Sequence, residues 1–198
     1  MTDVARAQSS SCRRRILGIT GAPGVGKTTY ALAQVATRAP AAYVPMDGFH
    51  LADATLTALG RLDRKGAPDT FDAWGYAALV RRLRDERDHV VYAPGFDRHL
   101  EQPIAAALAV PPDAQLVVTE GNYLLLDRPE WRAVREQLDE VVHLVTDNDL
   151  RRHRLVARHV EFGKTQAEAE GWVARVDDAN AALVEAAAHR ADRIVELH

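Results

Sequence analysis

Short apolar runs alternate along the chain with longer segments in which apolar residues recur every three or four positions. The runs have the length of buried strands, and the longer segments have the periodicity of amphipathic helices. The predicted strands cover 15–20, 42–46, 90–92, 116–119, 141–145 and 193–197. The predicted helices cover 27–38, 52–59, 70–87, 130–138, 148–161 and 166–189. This alternation predicts an α/β fold with three layers, in which a doubly wound, mostly parallel sheet has helices on both faces.

Ligands of such sheets bind at the carboxyl ends of the strands. The loops to examine are therefore those that follow Thr20, Met46, Tyr92 and Thr119. No internal repeat, low-complexity tract or long linker divides the sequence. We therefore predict a single domain over residues 15–198, preceded by a flexible basic tail over residues 1–14.

Composition narrows the class of protein. Hydrophobic residues make up 47% of the 198 residues and charged residues 27%, as in an ordinary globular domain. No apolar run is long enough for a membrane span, and the first fifteen residues lack the apolar stretch of a secretory signal. Cys12 is the only cysteine, which excludes an internal disulfide. We therefore expect a cytoplasmic protein.

The charge distribution argues against nucleic acid as a partner. The formal net charge is −3, and the first fifteen residues are basic, so the rest of the chain is more acidic still. The three arginines at 13–15 are interpreted as the solvated end of a strand or tail, with a nucleic-acid or membrane contact as the alternative. We predict neither nucleic acid nor a membrane among the partners.

The first predicted strand is followed by Gly-Ala-Pro-Gly-Val-Gly-Lys-Thr at 21–28, which matches the phosphate-binding pattern G-x-x-x-x-G-K-[ST] at every fixed position. Glycines let backbone N–H groups wrap around a phosphate, and the following helix adds the positive end of its dipole. Lys27 would reach the β- and γ-phosphates, and the Thr28 hydroxyl would bind Mg²⁺. The alternative, a turn that only joins the strand to the helix, is disfavoured, because the strand, the lysine, the hydroxyl and the helix are all those expected of a phosphate-binding loop. The predicted nucleotide contacts are Gly21, Ala22, Pro23, Gly24, Val25, Gly26, Lys27, Thr28 and Thr29.

The loop predicts a nucleoside triphosphate but does not choose the reaction. A switch GTPase usually carries an Asn-Lys-x-Asp motif, which this sequence lacks, so we expect ATP. The second predicted strand leads into Asp47, which places a carboxylate beside the γ-phosphate. A carboxylate there can orient an alcohol and accept its proton, as a kinase requires. The alternative for Asp47 is a helix cap or turn residue, and the alternative to acceptor binding by His50 is an ordinary packed histidine.

Glu120 directly follows the strand predicted at 116–119. A buried carboxylate without a partner is costly, so a water-mediated role at Mg²⁺ is favoured over that of a hydrogen-bonded turn acid. The eight histidines show no metal-ligand spacing, and a protein-bound zinc ion is not expected. The predicted metal residues are therefore Thr28 and Glu120.

Two further loops carry candidate contacts to the acceptor. Arg64 and Lys65 precede Pro68 between two predicted helices, where cations would hold the acceptor or the transferred phosphoryl group. A solvated loop pair is the alternative. Tyr92 and Arg98 lie in the segment after the third predicted strand and would clamp a sugar or polar ring. The alternative is that the aromatic residues of this segment close the core.

Three arginines of the helix predicted at 148–161 share one face, because Arg151, Arg154 and Arg158 are spaced i, i+3 and i+7. Such a positive stripe predicts a lid at approximately 150–168. Its closure would bring arginines onto the phosphates, neutralise their charge and exclude water. A solvated face paired with nearby acids is the alternative.

In this order, the motifs resemble those of the uridine kinase, phosphoribulokinase and pantothenate kinase group of P-loop kinases. The resemblance spans roughly residues 15–197 and rests on 21–28, Asp47-Gly-Phe, the segment 64–72, Thr119-Glu-Gly and the arginine-bearing helix. It is closest to the short proteins called the nucleoside/nucleotide kinase family. The resemblance implies that Asp47 is the catalytic base and that Glu120 supports the magnesium site. It also favours the lid role of Arg154 and Arg158.

We therefore predict an ATP- and Mg²⁺-dependent kinase that transfers the γ-phosphoryl group to a hydroxyl of a small polar metabolite. The candidate acceptors are a nucleoside, a sugar and a pantothenate-like alcohol. The predicted catalytic residues are Asp47, Lys27, Arg154 and Arg158, and the protein is expected to be a monomer or homodimer. The alternative function is a nucleotide-dependent switch or regulatory NTPase that acts on a protein partner.

Overall fold

A parallel sheet lies at the centre of the protein. The computed structural model describes residues 13–38 and 40–197. The strands within them are β1 (Arg15–Gly21), β2 (Ala41–Pro45), β3 (Val91–Asp97), β4 (Gln102–Val110), β5 (Leu116–Glu120), β6 (Glu140–Val145) and β7 (Arg193–Glu196). Five of them form one sheet in the order β2-β5-β1-β6-β7, with every neighbouring pair parallel. Nearly every residue of β1 and β5 is buried, as in a sheet covered on both faces.

Helices cover both faces of this sheet. They are α1 (Lys27–Ala36), α2 (Asp53–Ala58), α3 (Ala73–Asp85), α4 (Pro129–Arg135), α5 (Asn148–Glu161), α6 (Gln166–Trp172) and α7 (Asp178–Ala186). Tyr76 of α3 and Trp131 of α4 share a buried cluster with Ile16 of β1. Ala31 of α1 belongs to another cluster, with Leu17 of β1. Successive residues of β1 thus face opposite layers, as the pleat requires, and the predicted three-layer, doubly wound fold is confirmed.

Local sequence signals account for where the later helices begin and end. The Asp147 side chain accepts a hydrogen bond from the backbone N–H of Leu150 at the start of α5. Thr165 and Glu168 form a reciprocal capping box at the start of α6. The helix predicted at 166–189 contains a π-helical turn, Val173–Asp177, between α6 and α7, and the backbone stays in the right-handed helical region at both junctions.

The strand predicted at 90–92 does not join the central sheet. It is the start of β3, which pairs antiparallel with β4 in a separate two-stranded ribbon. The sequence pattern does not reveal β4, because the middle of this segment is an alanine-rich run with little preference for strand conformation. Most residues of β4 are exposed, so pairing with β3, and not local preference or burial, makes it a strand.

Most of the predicted basic tail, residues 1–12, lies outside the described residues. Arg14 lies within them and is fully buried. Its guanidinium donates hydrogen bonds of 2.7–3.1 Å to the backbone carbonyls of Leu83, Pro111, Pro112 and Ala114. One side chain therefore ties the start of β1 to the end of α3 and to the turn before β5. The interpretation of 13–15 as a solvated end is wrong for Arg14, whereas the side chains of Arg13 and Arg15 are largely exposed.

We expect Arg14→Met to lower the free energy of unfolding by about 2–4 kcal/mol, because the buried hydrogen bonds to the carbonyls of Leu83 and Ala114 are lost together with two partly buried ones. Arg15→Met is the matched control. The exposed Arg15 side chain pairs with Glu140 at 3.3 Å, and loss of such a surface pair costs less than about 1 kcal/mol. Urea denaturation of both variants measures the difference. Equal losses would show that the buried hydrogen bonds of Arg14 do not stabilise the fold.

No helix within the described residues combines the length and the apolar character needed to cross a membrane. The longest of them, α5, has 14 residues and carries a run of charged side chains.

Candidate active site

Three of the predicted loops meet at the carboxyl edge of the sheet. Glu120, the last residue of β5, is in register with Pro45 of β2 on one side and with Ile19 of β1 on the other. The phosphate loop follows β1, and Asp47 lies in a 3₁₀ turn, Met46–Phe49, directly after β2. Strand order alone therefore brings the phosphate loop and the two predicted acids to one place.

The phosphate loop, residues 21–26, has the backbone that its glycines permit. Gly24 and Gly26 have φ values of +81° and +103°. A Cβ atom on Gly24 would lie 2.7 Å from Cγ of Leu155, so α5 leaves no room for a side chain. Gly26 provides no side-chain cap for α1, which leaves the first backbone N–H groups of that helix to bind an anion.

Lys27 lies across this loop. Its Nζ donates to the carbonyl oxygens of Gly21 and Ala22, at 3.0 Å each. Burial lowers the pKa of Lys27 to about 8, against the opposing effects of the negative charges of Glu120 and Asp47. A bound triphosphate would add negative charge and favour the protonated amine.

Glu120 is buried and accepts two hydroxyl hydrogen bonds on one oxygen. Thr28 Oγ1 donates to Oε1 at 3.0 Å, and the Tyr43 hydroxyl donates to the same atom at 2.7 Å. Burial, with a smaller contribution from Asp47, raises the pKa of Glu120, while Lys27 and the two hydroxyls oppose this shift. The sequence pattern does not reveal this role of Tyr43, because Tyr43 lies 77 positions before Glu120 and in a different strand.

These groups fit a magnesium ion. Mg²⁺ prefers oxygen ligands and retains several waters, so one hydroxyl, a nearby carboxylate and nucleotide phosphates are enough to hold it. Thr28 and Glu120 supply the hydroxyl and the carboxylate, in contact with each other. Across the described residues no group of three or more His, Cys, Asp or Glu is arranged to hold a metal ion. A metal at this position would therefore depend on bound phosphate.

Asp47 is accessible from solvent at the carboxyl edge. Its side chain is 31% exposed, and Nη2 of Arg98 lies 3.6 Å from its Oδ2. Arg98 directly follows β3, so the ribbon brings a cation to the acid. The carboxylate is neither enclosed by its neighbours nor held in a short ion pair, and an incoming hydroxyl group can reach it.

The glycine after Asp47 lets the ribbon pack directly on this turn. A Cβ atom on Gly48 would lie 2.3 Å from the carbonyl oxygen of Pro94 in β3. This close contact fixes the distance between the turn and the ribbon, and with it the position of Arg98. The sequence shows the Asp-Gly pair, but it does not show that the backbone of β3 packs against it.

We expect Gly48→Ala to lower the free energy of unfolding by about 1–3 kcal/mol, because the ribbon must move to accommodate a methyl group. The displacement of Arg98 should also lower kcat/KM for the acceptor. Gly171→Ala is the matched control, since a Cβ atom there meets no atom within 4 Å. Thermal melting and steady-state kinetics of both variants test this, and wild-type behaviour of Gly48→Ala would contradict the packing argument.

His50 enters the site as a neutral ring. Its centroid lies 4.0 Å from that of Phe71 and 5.0 Å from that of Phe96 in β3. Burial lowers the pKa of His50 to about 4, so the imidazole is uncharged at neutral pH. Its Nδ1 is buried and has no hydrogen-bond partner among the described residues, which leaves one polar atom unsatisfied beside the ribbon.

Lys65 joins the segment after α2 to the ribbon. Its Nζ pairs with Oδ1 of Asp53 at 2.6 Å and donates to the carbonyl of Glu101. Lys65 and Arg98 lie close enough to His50 to lower the pKa of that ring, after the larger effect of burial. The structure therefore groups Lys65, Arg98 and His50 around Asp47, and these four residues define what we call the Asp47 cleft.

The two remaining acceptor candidates, Arg64 and Tyr92, have other surroundings. Arg64 forms an ion pair of 2.9 Å with Asp69. Tyr92 is 59% exposed and does not close the core. Within the described chain, neither residue has a hydrogen bond, ion pair or ring contact with Asp47 or His50.

The arginines of α5 do not form one open stripe. Arg151 is buried, where it donates to the Pro23 carbonyl at 3.2 Å and pairs with Asp178 at 2.7 Å. This contact holds α5 against the phosphate loop. Arg151 is thus paired with an acid, as in the alternative interpretation of the stripe, but it is buried and not solvated. Its partner Asp178 lies 27 positions later, which the helical spacing of the arginines does not reveal.

The other two arginines of α5 lie near the nucleotide loop. An Nη1 atom of Arg154 is 4.0 Å from the position of a Cβ atom on Gly26. Arg158 contributes, after burial, to the lowered pKa of Lys27, so its positive charge lies close to that amine. Both therefore lie near the phosphate loop, and their role at the phosphates and the motion of the lid stay predictions.

Comparison with known proteins points to one family. The phosphoribulokinase / uridine kinase family matches residues 16–197. The chain is 35% identical over 191 residues to "Uncharacterized protein YggC" of Escherichia coli (strain K12), which covers 93% of this chain and 78% of that protein. It is 33% identical over 190 residues to "Putative uridine kinase C227.14" of Schizosaccharomyces pombe, with coverages of 87% and 79%. The crystal structure of a "putative fructose transport system kinase" from Silicibacter sp. TM1040 has a TM-score of 0.84 and 38% identity, over 94% of this chain and 92% of that chain.

Proposed function

Because this chain belongs to the phosphoribulokinase / uridine kinase family, we propose that it transfers the γ-phosphoryl group of ATP, with Mg²⁺, to a hydroxyl group of a small polar metabolite. It has the fold of the P-loop kinases, and it is a phosphotransferase that acts on an alcohol group. One observation carries the finer proposal: Asp47 is a solvent-accessible carboxylate across the site from Lys27, and its charge influences the pKa of that amine. We place this reaction in the cytoplasm, in keeping with the single cysteine.

The donor half of the site is the phosphate loop with the start of α1. The free backbone N–H groups there and the Lys27 ammonium would bind the β- and γ-phosphates. On binding, Lys27 would exchange the carbonyls of Gly21 and Ala22 for phosphate oxygens. The lack of an Asn-Lys-x-Asp motif supports ATP as the donor.

Thr28 and Glu120 would hold Mg²⁺, with Thr28 as a direct ligand and Glu120 acting through water. The ion, when bound, neutralises charge on the phosphates. The role of the protein is to keep the side chains of Thr28 and Glu120 in contact and to limit the access of bulk water.

The transfer step needs a base and a way to stabilise charge. Asp47 would accept the proton of the acceptor hydroxyl while the oxygen of that hydroxyl bonds to the γ-phosphorus. The bond from that phosphorus to the oxygen bridging it to the β-phosphate then breaks, and ADP leaves. Arg154 and Arg158 would face the transferred group and stabilise its negative oxygens.

The acceptor would bind in the cleft between the Asp47 turn and the ribbon. Arg98, Lys65 and the neutral ring of His50 supply hydrogen-bond donors and a flat surface there. A nucleoside, a sugar and a pantothenate-like alcohol all offer a hydroxyl group of this kind. Arg64 and Tyr92 would take part only if an acceptor extended beyond the cleft.

Acceptor-dependent release of ADP tests the proposal. Purified protein is mixed with Mg-ATP and a panel of nucleosides, sugars and vitamin alcohols, and the phosphorylated product is identified by ³¹P NMR. We expect one acceptor class to stimulate ADP release well above the rate without acceptor. Slow hydrolysis that no small molecule stimulates, but that a protein partner does, would instead favour a regulatory NTPase and overturn the proposal.

A further inference from the structure

The hydroxyl of Tyr43 has no role in the reaction described so far. The Tyr43 ring lies in β2 and packs against the apolar cluster under α1. Its hydroxyl donates to Oε1 of Glu120 at 2.7 Å, and Thr28 donates to that same oxygen at 3.0 Å. The tyrosine and the expected metal ligand thus share one acceptor atom, although they come from different elements of the fold.

Glu120 needs a restraint of this kind. A glutamate side chain has three torsions, and holding it in one rotamer costs conformational free energy. Glu120 is 4% exposed, and a carboxylate buried to that extent is stable only with donors. Two hydroxyls that approach Oε1 from β2 and from α1 supply those donors and fix the orientation of the carboxylate.

The second oxygen of Glu120 stays available. Oε2 accepts no hydrogen bond from the described residues, and it is not among their buried, unpartnered atoms. Oε2 is therefore not fully buried. Oε1 accepts hydrogen bonds from the protein, and Oε2 remains available to a ligand.

We propose that Tyr43 is a positioning residue for the metal. Its hydroxyl holds Oε1 of Glu120 beside Thr28, and this leaves Oε2 free for the water shell of Mg²⁺. The inference rests on the proposed function and deepens it, because it states what sets the affinity of the site for its metal. Groups that orient metal ligands in this way typically change metal affinity by about 10- to 100-fold when they are removed.

The test is the substitution Tyr43→Phe, which removes the hydroxyl and keeps the ring. Binding of Mn²⁺, a paramagnetic substitute for Mg²⁺, is measured by EPR in the presence of a non-hydrolysable ATP analogue. We expect the dissociation constant for Mn²⁺ to rise about tenfold or more. Binding of the analogue without metal should be unchanged, because among the described residues the Tyr43 hydroxyl donates to Glu120 and to no group of the phosphate loop at 21–26.

Two further variants separate this role from general packing. Tyr30→Phe is the matched control, since Tyr30 packs against the same cluster and its hydroxyl has no hydrogen bond to a described residue. It should bind Mn²⁺ as the wild type does. In a Glu120→Gln background, Tyr43→Phe should have little further effect, because the two residues act as one unit.

The Mn²⁺ binding measurement separates failure of the inference on Tyr43 from failure of the proposed function. If the wild type binds Mn²⁺ with the analogue and Tyr43→Phe binds it equally well, the inference fails and the proposed function stands. An unfolded Tyr43→Phe variant in circular dichroism also overturns it, because Tyr43 would then be a structural residue. The measurement uses no acceptor, so an acceptor panel without a hit leaves this result valid. Failure of the wild type to bind Mn²⁺ with the analogue overturns both the inference on Tyr43 and the proposed function.

Discussion

Replacing Asp47 with alanine is expected to lower kcat by about 10²- to 10⁴-fold, the usual contribution of a general base. The affinity for ATP should change little, because Asp47 lies in the turn after β2 and the phosphate loop follows β1. The substitution removes the carboxylate that we propose as the acceptor of this proton. Arg98 would lose its partner carboxylate, so KM for the acceptor should also change.

Steady-state kinetics with the acceptor found in the panel give kcat, and titration with a fluorescent ATP analogue gives the nucleotide affinity. Asp127→Ala is the control, because Asp127 is an exposed carboxylate that pairs with Arg132 on α4, away from the cleft. Wild-type turnover in Asp47→Ala would show that another group accepts the proton. A large loss of ATP affinity would show that Asp47 acts on the donor instead.

Replacing Lys27 with alanine is expected to reduce both nucleotide binding and turnover. Lys27 supplies a partly buried positive charge where the β- and γ-phosphates would lie, and hydrogen bonds to charged groups contribute about 1.5–3 kcal/mol. ATP affinity should therefore fall by about tenfold or more. Turnover should fall by about 10²- to 10³-fold, because charge on the transferred group is no longer stabilised by this donor.

The same titration and kinetic assays measure both effects, so the two substitutions can be compared directly. Arg132→Ala is the control for loss of a cation, because Arg132 is exposed and pairs with Asp127. Asp47→Ala and Lys27→Ala should differ in ATP affinity far more than in turnover. Unchanged ATP affinity in Lys27→Ala would contradict the placement of the phosphates over the loop at 21–26.

The donor half of the site could be predicted because its parts are close together in the chain. The glycines, Lys27 and Thr28 fall within eight consecutive residues between one strand and one helix. Local backbone geometry, with positive φ at Gly24 and Gly26, then determines their arrangement. Asp47 and Glu120 were also predictable, because each follows an apolar run and parallel strands end at the same edge.

The acceptor half was less predictable, because the ribbon forms it. The segment of β4 has little local preference for a strand, and its pairing with β3 determines where Arg98 and Phe96 lie. The contact between Gly48 and Pro94 then joins the ribbon to the Asp47 turn. A sequence pattern shows the residues of this half but not the contacts that bring them together.

By itself, the sequence determined the parallel α/β sheet, the phosphate loop and the edge at which the two acids would meet, because these depend on periodicity and on short spacings. Only the tertiary structure decided which side chains support them. Tyr43 reaches Glu120 across 77 positions, and Arg14 reaches Leu83 across 69. Such pairs form when distant segments pack and a buried charge or carbonyl needs a partner, and no local pattern records which partner that will be.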